Sequence, residues 1–373
     1  MAENGLKKEP LLRIAKRSDI SRKKSWLIRF IAIVIALVVC GLYIFSITKQ
    51  NPIAVYGGLI DGAIGTQRRV WNTLKDTMML LAVSLAITPA FKMKFWNIGA
   101  EGQILVGAIA TAAVMRILGE TASPAIMFPA MIVLSIVSGL VWGVIPAYFK
   151  AKYNTNETLF TLMMNYIAIQ LVAFFCIKWE GLKGSGTVGT INQKTRVGWI
   201  PNDFLGGIFG KFNYSIILII VLVLMVLMAV YLNKTKHGYE IAVVGESENT
   251  ARYAGIDVKK VILRTMALSG ALCGLTGFLL VSGSSHTISV NIAGGRGFTA
   301  IIVSWLAKFN PYIMLAISFM LAFLDKGAIQ IASQFGVNES AAEVMTGIIL
   351  FFLIGCEFFI NYRVVVRGKS KEA

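Results

Sequence analysis

Two histidines and four cysteines are all the soft-metal chemistry that this 373-residue sequence contains. Cys40, Cys176, Cys273 and Cys356 each fall inside an apolar run and show no CxxC spacing. That argues against a thiolate metal site or a disulfide framework, and it reads as small buried side chains. No GxxxxGK[ST] pattern occurs, so the chain has no phosphate loop of its own. Charge is scarce as well: 15% of residues, where soluble domains carry about 25%. No hydrophilic stretch is large enough to fold as a catalytic domain.

What the chain has is apolar length. Hydrophobic side chains make up 56% of it, and ten membrane helices of roughly 20 residues would use about 200 such positions. The composition predicts an all-α, polytopic membrane protein of about ten spans. They fall near 26–47, 72–91, 98–118, 125–149, 157–178, 214–233, 261–283, 293–307, 311–331 and 341–361. Residues 1–25 and 362–373 are then tails around a transmembrane domain of residues 26–361. The net charge of +17 would suggest nucleic acid in a soluble protein. Here it reads as positive-inside topology and not nucleic-acid binding. Segments assigned to the cytoplasm hold 22 Lys and Arg, against 7 outside. Both termini are therefore expected in the cytoplasm, with 179–213 as an extracellular loop and 234–260 as a cytoplasmic one. The Gly-rich outer loop suits either a seat for a partner or a plain flexible connection.

Four segments stand out. Phe95-Trp96-Asn97-Ile98-Gly99-Ala100-Glu101-Gly102-Gln103 sets a carboxylate, amides and aromatics beside glycines where an apolar helix begins. A membrane carboxylate faces protein or water, not lipid, and aromatics with amides suit a ring-shaped solute. The plainer reading is a helix cap, with Asn97 as cap and Glu101 near the positive end. Asn165, two turns after the helix start at Asn156-Glu157, needs a partner helix or a permeant solute. Gly245 to Ile256 combines Glu248, Ala251, Arg252, Tyr253, Ala254 and Gly255. It suits either a helix docked in a partner's groove or an ordinary loop helix on the membrane surface. Asn291-Ile292-Ala293-Gly294-Gly295-Arg296-Gly297-Phe298 faintly echoes the first segment 194 residues earlier and enters from the opposite side, which suggests an inverted repeat. Ser135, Gly139 and Gly143, and Gly270 with Gly274, form small-residue faces for tight helix crossing. Asp76 and Asp325 adjoin Lys75 and Lys326, which suits interface anchoring.

The chain resembles the permeases of ABC importers for nucleosides and simple sugars from about residue 70 to 361. Phe95 with Asn97–Gln103 resembles that family's FNIGAEGQ signature, with Trp96 intervening. Asn156-Glu157 with Thr161-Leu162-Met163-Met164-Asn165-Tyr166-Ile167-Ala168 resembles NE…TLMLNYIA. Gly245–Ile256 resembles the GENPxAARYAGI coupling loop, with Ser247-Glu248 where Asn-Pro is usual, and Gly295–Ile301 resembles GxGFxGIAV.

The resemblance implies a multi-pass protein of the bacterial cell membrane that moves nucleosides by alternating access. It implies a cytoplasmic ABC ATPase, which would bind the ATP and Mg, so that this chain carries no cofactor and is no enzyme. It further implies a second permease subunit, expected as a paralogue in a heterodimer, and an extracellular substrate-binding protein or lipoprotein. Phe95, Trp96, Asn97, Glu101, Gln103 and Asn165 would border the solute path, and Glu248 to Gly255 would couple to the ATPase. The alternatives are an importer of simple sugars such as ribose, or a stand-alone secondary transporter for which the 245–256 segment would be dispensable. A membrane-embedded enzyme would need a nucleophile–base pair or a metal cluster, which two histidines without matching acids do not supply.

Overall fold

A computed structural model describes residues 12–17, 21–49, 51–119, 123–201, 214–336 and 338–366. The expected tails at 1–25 and 362–373 and the outer loop at 179–213 therefore lie partly outside the described residues. The described chain forms two compact units, one of residues 1–65 and 324–373 and one of 66–323. Helices dominate because a chain in lipid must satisfy each backbone N–H and C=O within itself.

In the first unit, α1 (Arg22–Thr48) runs against α13 (Glu339–Asn361). Arg29 and Glu357 join them through a 2.7 Å ion pair. The short helix α2 (Pro52–Ile64) follows α1 and crosses the C-terminal half of α12 (Pro311–Phe335). Gly62 makes that crossing close: a Cβ there would lie 2.4 Å from Gln330 Cβ. Strand β1 (Leu12–Lys16) pairs antiparallel with β2 (Tyr362–Val366), Ile14 opposite Val364. The ribbon holds the described ends of the chain side by side.

The second unit holds α3 (Gln67–Lys92), α4 (Ala100–Leu118), α5 (Pro124–Tyr153), α6 (Glu157–Lys178) and α7 (Ser215–Lys234). Two shorter helices follow, α8 (Lys236–Glu246) and α9 (Glu248–Tyr253). Then come α10 (Val258–Leu280), extended by a π turn over Val281–Ser285, and α11 (Arg296–Leu306). The centre is the crossing of α10 with α5 and α4. A Cβ on Gly139 would lie 2.3 Å from the Gly270 carbonyl, and one on Gly274 would lie 2.1 Å from the Ser135 carbonyl. The two small-residue faces meet as their spacing predicts. All four cysteines are buried and free.

Nine helices among the described residues are long and apolar enough to cross a membrane. The expected tenth span, 293–307, differs. Its helix has only eleven residues, about 16 Å at 1.5 Å per residue, roughly half the hydrocarbon core. Gly294 and Gly295 take the left-handed conformation, with φ of 59° and 69°, and end any helix arriving from the outer side. Between α10 and α12 the chain therefore runs as an irregular stretch followed by a short helix.

The described part of the 179–213 loop is tied to the end of α10. Ile191 N–H donates to the His286 carbonyl at 2.8 Å, and Ile200 N–H donates to the Ser282 carbonyl at 2.9 Å. Trp199 stacks on His286 with ring centroids 3.8 Å apart. Burial there holds the imidazole below its ordinary pKa.

Candidate functional site: a capped pair of helix starts beside a short helix

Of the two helix starts that the echo singles out, that of α4 is buried and that of α11 is partly buried. Chain leaving α3 turns at Met93–Lys94, Lys94 taking a positive φ of 61°, and re-enters through Phe95–Gly99 before α4 begins. An apolar helix starting below the surface leaves buried N–H groups that need acceptors. Asn165, on α6, supplies one. Its Oδ1 accepts the Gly102 N–H at 2.8 Å, and its Nδ2 donates to the Ile98 carbonyl at 2.8 Å. Thr161, one turn earlier on α6, accepts the Ile98 N–H at 3.2 Å.

Asn97 is wholly buried. Its Oδ1 accepts the Gly99 N–H at 3.1 Å and the Gln103 Nε2–H at 3.2 Å. Its Nδ2 donates to Gln103 Oε1 at 3.3 Å and to Ser269 Oγ on α10 at 3.1 Å. The expected cap at Asn97 exists in part, as an Asx turn onto Gly99.

Glu101 does something the local reading missed. Its carboxylate accepts the Gly295 N–H at 2.9 Å and the Gly297 N–H at 2.7 Å, at the start of α11. The two members of the echo therefore meet, and the acid of one caps the helix of the other. A carboxylate at the positive end of a helix is favourable, and charge-assisted bonds to N–H groups are the stronger kind. Gly297 is needed for the approach, since a Cβ there would lie 2.6 Å from Glu101 N. Arg296 adds a second tie: its guanidinium lies 3.3 Å from Asp76 on α3, whose other neighbour is Lys75 at 3.8 Å. Adjacency to Lys75 thus accounts for Asp76 only in part.

The aromatics of this segment part company. Trp96 is half-exposed and stacks on Trp305 of α11, with centroids 5.8 Å apart and planes at 23°. Phe95 is buried away from the polar groups, in an apolar cluster with Met93, Ile241, Val244, Ala251 and Val261. The structure thus brings Asn97, Gln103 and Asn165 together, sets Glu101 on the α11 start, and sends Phe95 toward α8 and α9. Sequence reasoning missed Ser269, Thr161, Trp305 and the backbone donors of Gly295 and Gly297. Only the 194-residue echo pointed toward the last two.

The segment that Phe95 reaches is α8 and α9. Gly245 seats α8 on the end of α3, because a Cβ there would lie 2.2 Å from the Lys92 carbonyl. Glu240 on α8 pairs with Arg264 at 2.8 Å, and the guanidinium holds the carboxyl below its usual range. Ser247 caps α9, accepting the Thr250 N–H at 3.2 Å. Ala251 is fully buried, whereas Tyr253 is 94% exposed. Glu248 and Arg252 lie 3.5 Å apart on the outside. Ala254 and Gly255 close the helix, Gly255 with a φ of 76° that favours glycine.

Residues 70–354 match the family described as branched-chain amino acid transport system / permease component. The chain belongs to that family. All four segments singled out above lie within the match. Among its relatives, the glucose ABC transporter permease protein TsgB13 of Haloferax volcanii is 28% identical, over 92% of each chain. The guanosine ABC transporter permease protein NupP of Bacillus subtilis is 28% identical, over 95% of this chain and 99% of its own. The nucleoside ABC transporter permease protein NupB of Lactococcus lactis is 28% identical, over 94% and 95%. The protein is a multi-pass membrane permease of the ABC importer class, in the group whose relatives are named for nucleosides and sugars.

Proposed function

We propose that this chain is one of two permease subunits of an ATP-driven importer and that its solute is a nucleoside. The observation that carries the reading is α9. One side of this six-residue helix is anchored through Ala251, while Glu248, Arg252 and Tyr253 face outward. A helix held from behind, with its recognition side chains unspent, suits docking into a groove of a soluble partner. The partner is a cytoplasmic ATPase, which binds the ATP and Mg. Displacement of α9 would pass through the Phe95–Ala251 cluster and the Gly245–Lys92 contact to the turn before Asn97. The ATPase thereby biases a two-state arrangement of the spans, opening the path outward and then inward.

Asn97, Glu101, Gln103 and Asn165 border that path in this reading as its framework, because their polar atoms already serve one another and the helix starts. Trp96 offers the accessible ring face on which a nucleobase stacks. Two of the three relatives above are named for nucleosides, which favours that solute. TsgB13 carries a glucose name, so a simple sugar is the second reading. The remaining partners are an extracellular binding protein and a second permease, a paralogue by the family resemblance.

The test is uptake of labelled guanosine, adenosine, uridine and ribose by cells with and without this chain. Each assay is repeated after ATP depletion with ion gradients held. Nucleoside uptake lost under both conditions is expected. Ribose uptake alone would keep the machine and replace the solute, and uptake surviving ATP depletion would point to a stand-alone transporter.

A further inference from the structure

We infer that the β1–β2 ribbon is a binding surface for anionic lipid headgroups on the cytoplasmic leaflet. The ribbon begins where a span ends. Tyr362 directly follows the last residue of α13, and the Arg17 N–H donates to the Asn361 carbonyl at 2.9 Å, extending the pairing onto the helix end. With no linker between them, the ribbon stays at the membrane exit of the α1–α13 pair.

Its register then sorts its side chains. Lys16 lies opposite Tyr362, and Ile14 shares their face, whereas Arg13 and Arg363 fall on the other. Ile14 is 60% exposed and Tyr362 is 38% exposed, stacked on Phe358 at 5.4 Å. A Tyr and a Lys side by side at a span end, with an exposed Ile beyond them, form the kind of anchor that interfacial depth favours. Arg13, Lys16 and Arg363 lie on the strands, Arg17 directly follows β1, and Lys23 and Lys24 lie in the first turn of α1. None of the six makes an ion pair among the described residues. Neither strand contains an acid. Unpaired cations grouped at the cytoplasmic surface attract anionic lipid within a Debye length, about 8 Å at physiological salt. Topogenesis explains why such charges lie inside. It does not explain their assembly into a hydrogen-bonded ribbon that carries an exposed apolar residue.

The test places a fluorophore on Ile14→Cys in the full chain, reconstituted in bilayers of phosphatidylcholine with phosphatidylglycerol. Since the four native cysteines are buried, the label reports the ribbon. Spin-labelled phosphatidylglycerol is expected to quench it at least about twice as strongly as spin-labelled phosphatidylcholine, with the preference fading as salt rises. Arg13→Gln with Arg363→Gln is expected to abolish the preference while leaving insertion intact, as judged by protease protection of the outer loop. Equal quenching by both lipids, or quenching by aqueous iodide alone, would overturn the proposal. Shielding that appears only when a partner protein is added would overturn it too, and would make the ribbon a protein-docking edge.

Discussion

The start of α4 and the short helix α9 are built from similar residues, an acid and amides or hydroxyls beside glycines, and they end in opposite states. At α4 nearly every polar atom is buried and engaged: Glu101 on two N–H groups of α11, Asn165 on both ends of one peptide turn, Asn97 with Gln103. At α9 the backbone is capped but the side chains are free of tertiary partners, with Tyr253 almost wholly exposed and the Glu248–Arg252 pair at the surface. Polar groups used inside the fold set its geometry, because removing one orphans a buried partner. Groups left outside add little to stability and remain available for a second protein.

Mutations that separate stability from coupling break or sharpen this contrast. The largest loss is expected for Glu101→Ala, which orphans the buried Gly297 N–H at about 1–3 kcal/mol and also removes the acceptor of the partly buried Gly295 N–H. Thermal melting of the solubilised protein should fall clearly, with Glu101→Gln in between because its amide oxygen still accepts one bond. Asn165→Ala should come next, leaving the Gly102 N–H and the Ile98 carbonyl unpaired without removing a charge-assisted bond. Gly245→Ala should cost about 1–3 kcal/mol as α8 is pushed off the Lys92 carbonyl. Its sharper effect should be ATPase activity that no longer responds to solute. Arg252→Glu and Tyr253→Ala should change melting by no more than about 0.5 kcal/mol, yet lower uptake strongly. A large stability loss at either site would erase the contrast.

The smallest effect concerns pH. Glu240 has a folded pKa held below its usual value by Arg264, so its stabilisation is complete above the ordinary carboxylate range and is lost as pH falls through the folded value. Melting of the native protein and of Glu240→Gln should differ at neutral pH and converge in acid.

Much of this was legible in sequence because it is local. Apolar runs marked the long helices, and small residues spaced by four marked the α5–α10 crossing. The ordered motifs pointed to the family. What escaped was long-range. The acceptor of the Gly295 and Gly297 N–H groups lies 194 and 196 residues away in Glu101, and backbone donors leave no side-chain signature. Asp76 sits beside Lys75 in sequence, but its nearer cation is Arg296. Hydropathy made 293–307 a span because it sums apolarity and does not register the left-handed glycines that shorten the helix.

The most direct test of the central claim, that α9 is the seat of the ATPase, is site-specific cross-linking from Tyr253. The chain carrying Tyr253→Cys, co-expressed with its ATPase and second permease, would be treated with a short thiol-to-amine cross-linker. The account predicts a permease–ATPase adduct from position 253 and none from a label on the outer loop at Lys183. An assembled, transporting complex that gives no adduct at 253 would contradict it.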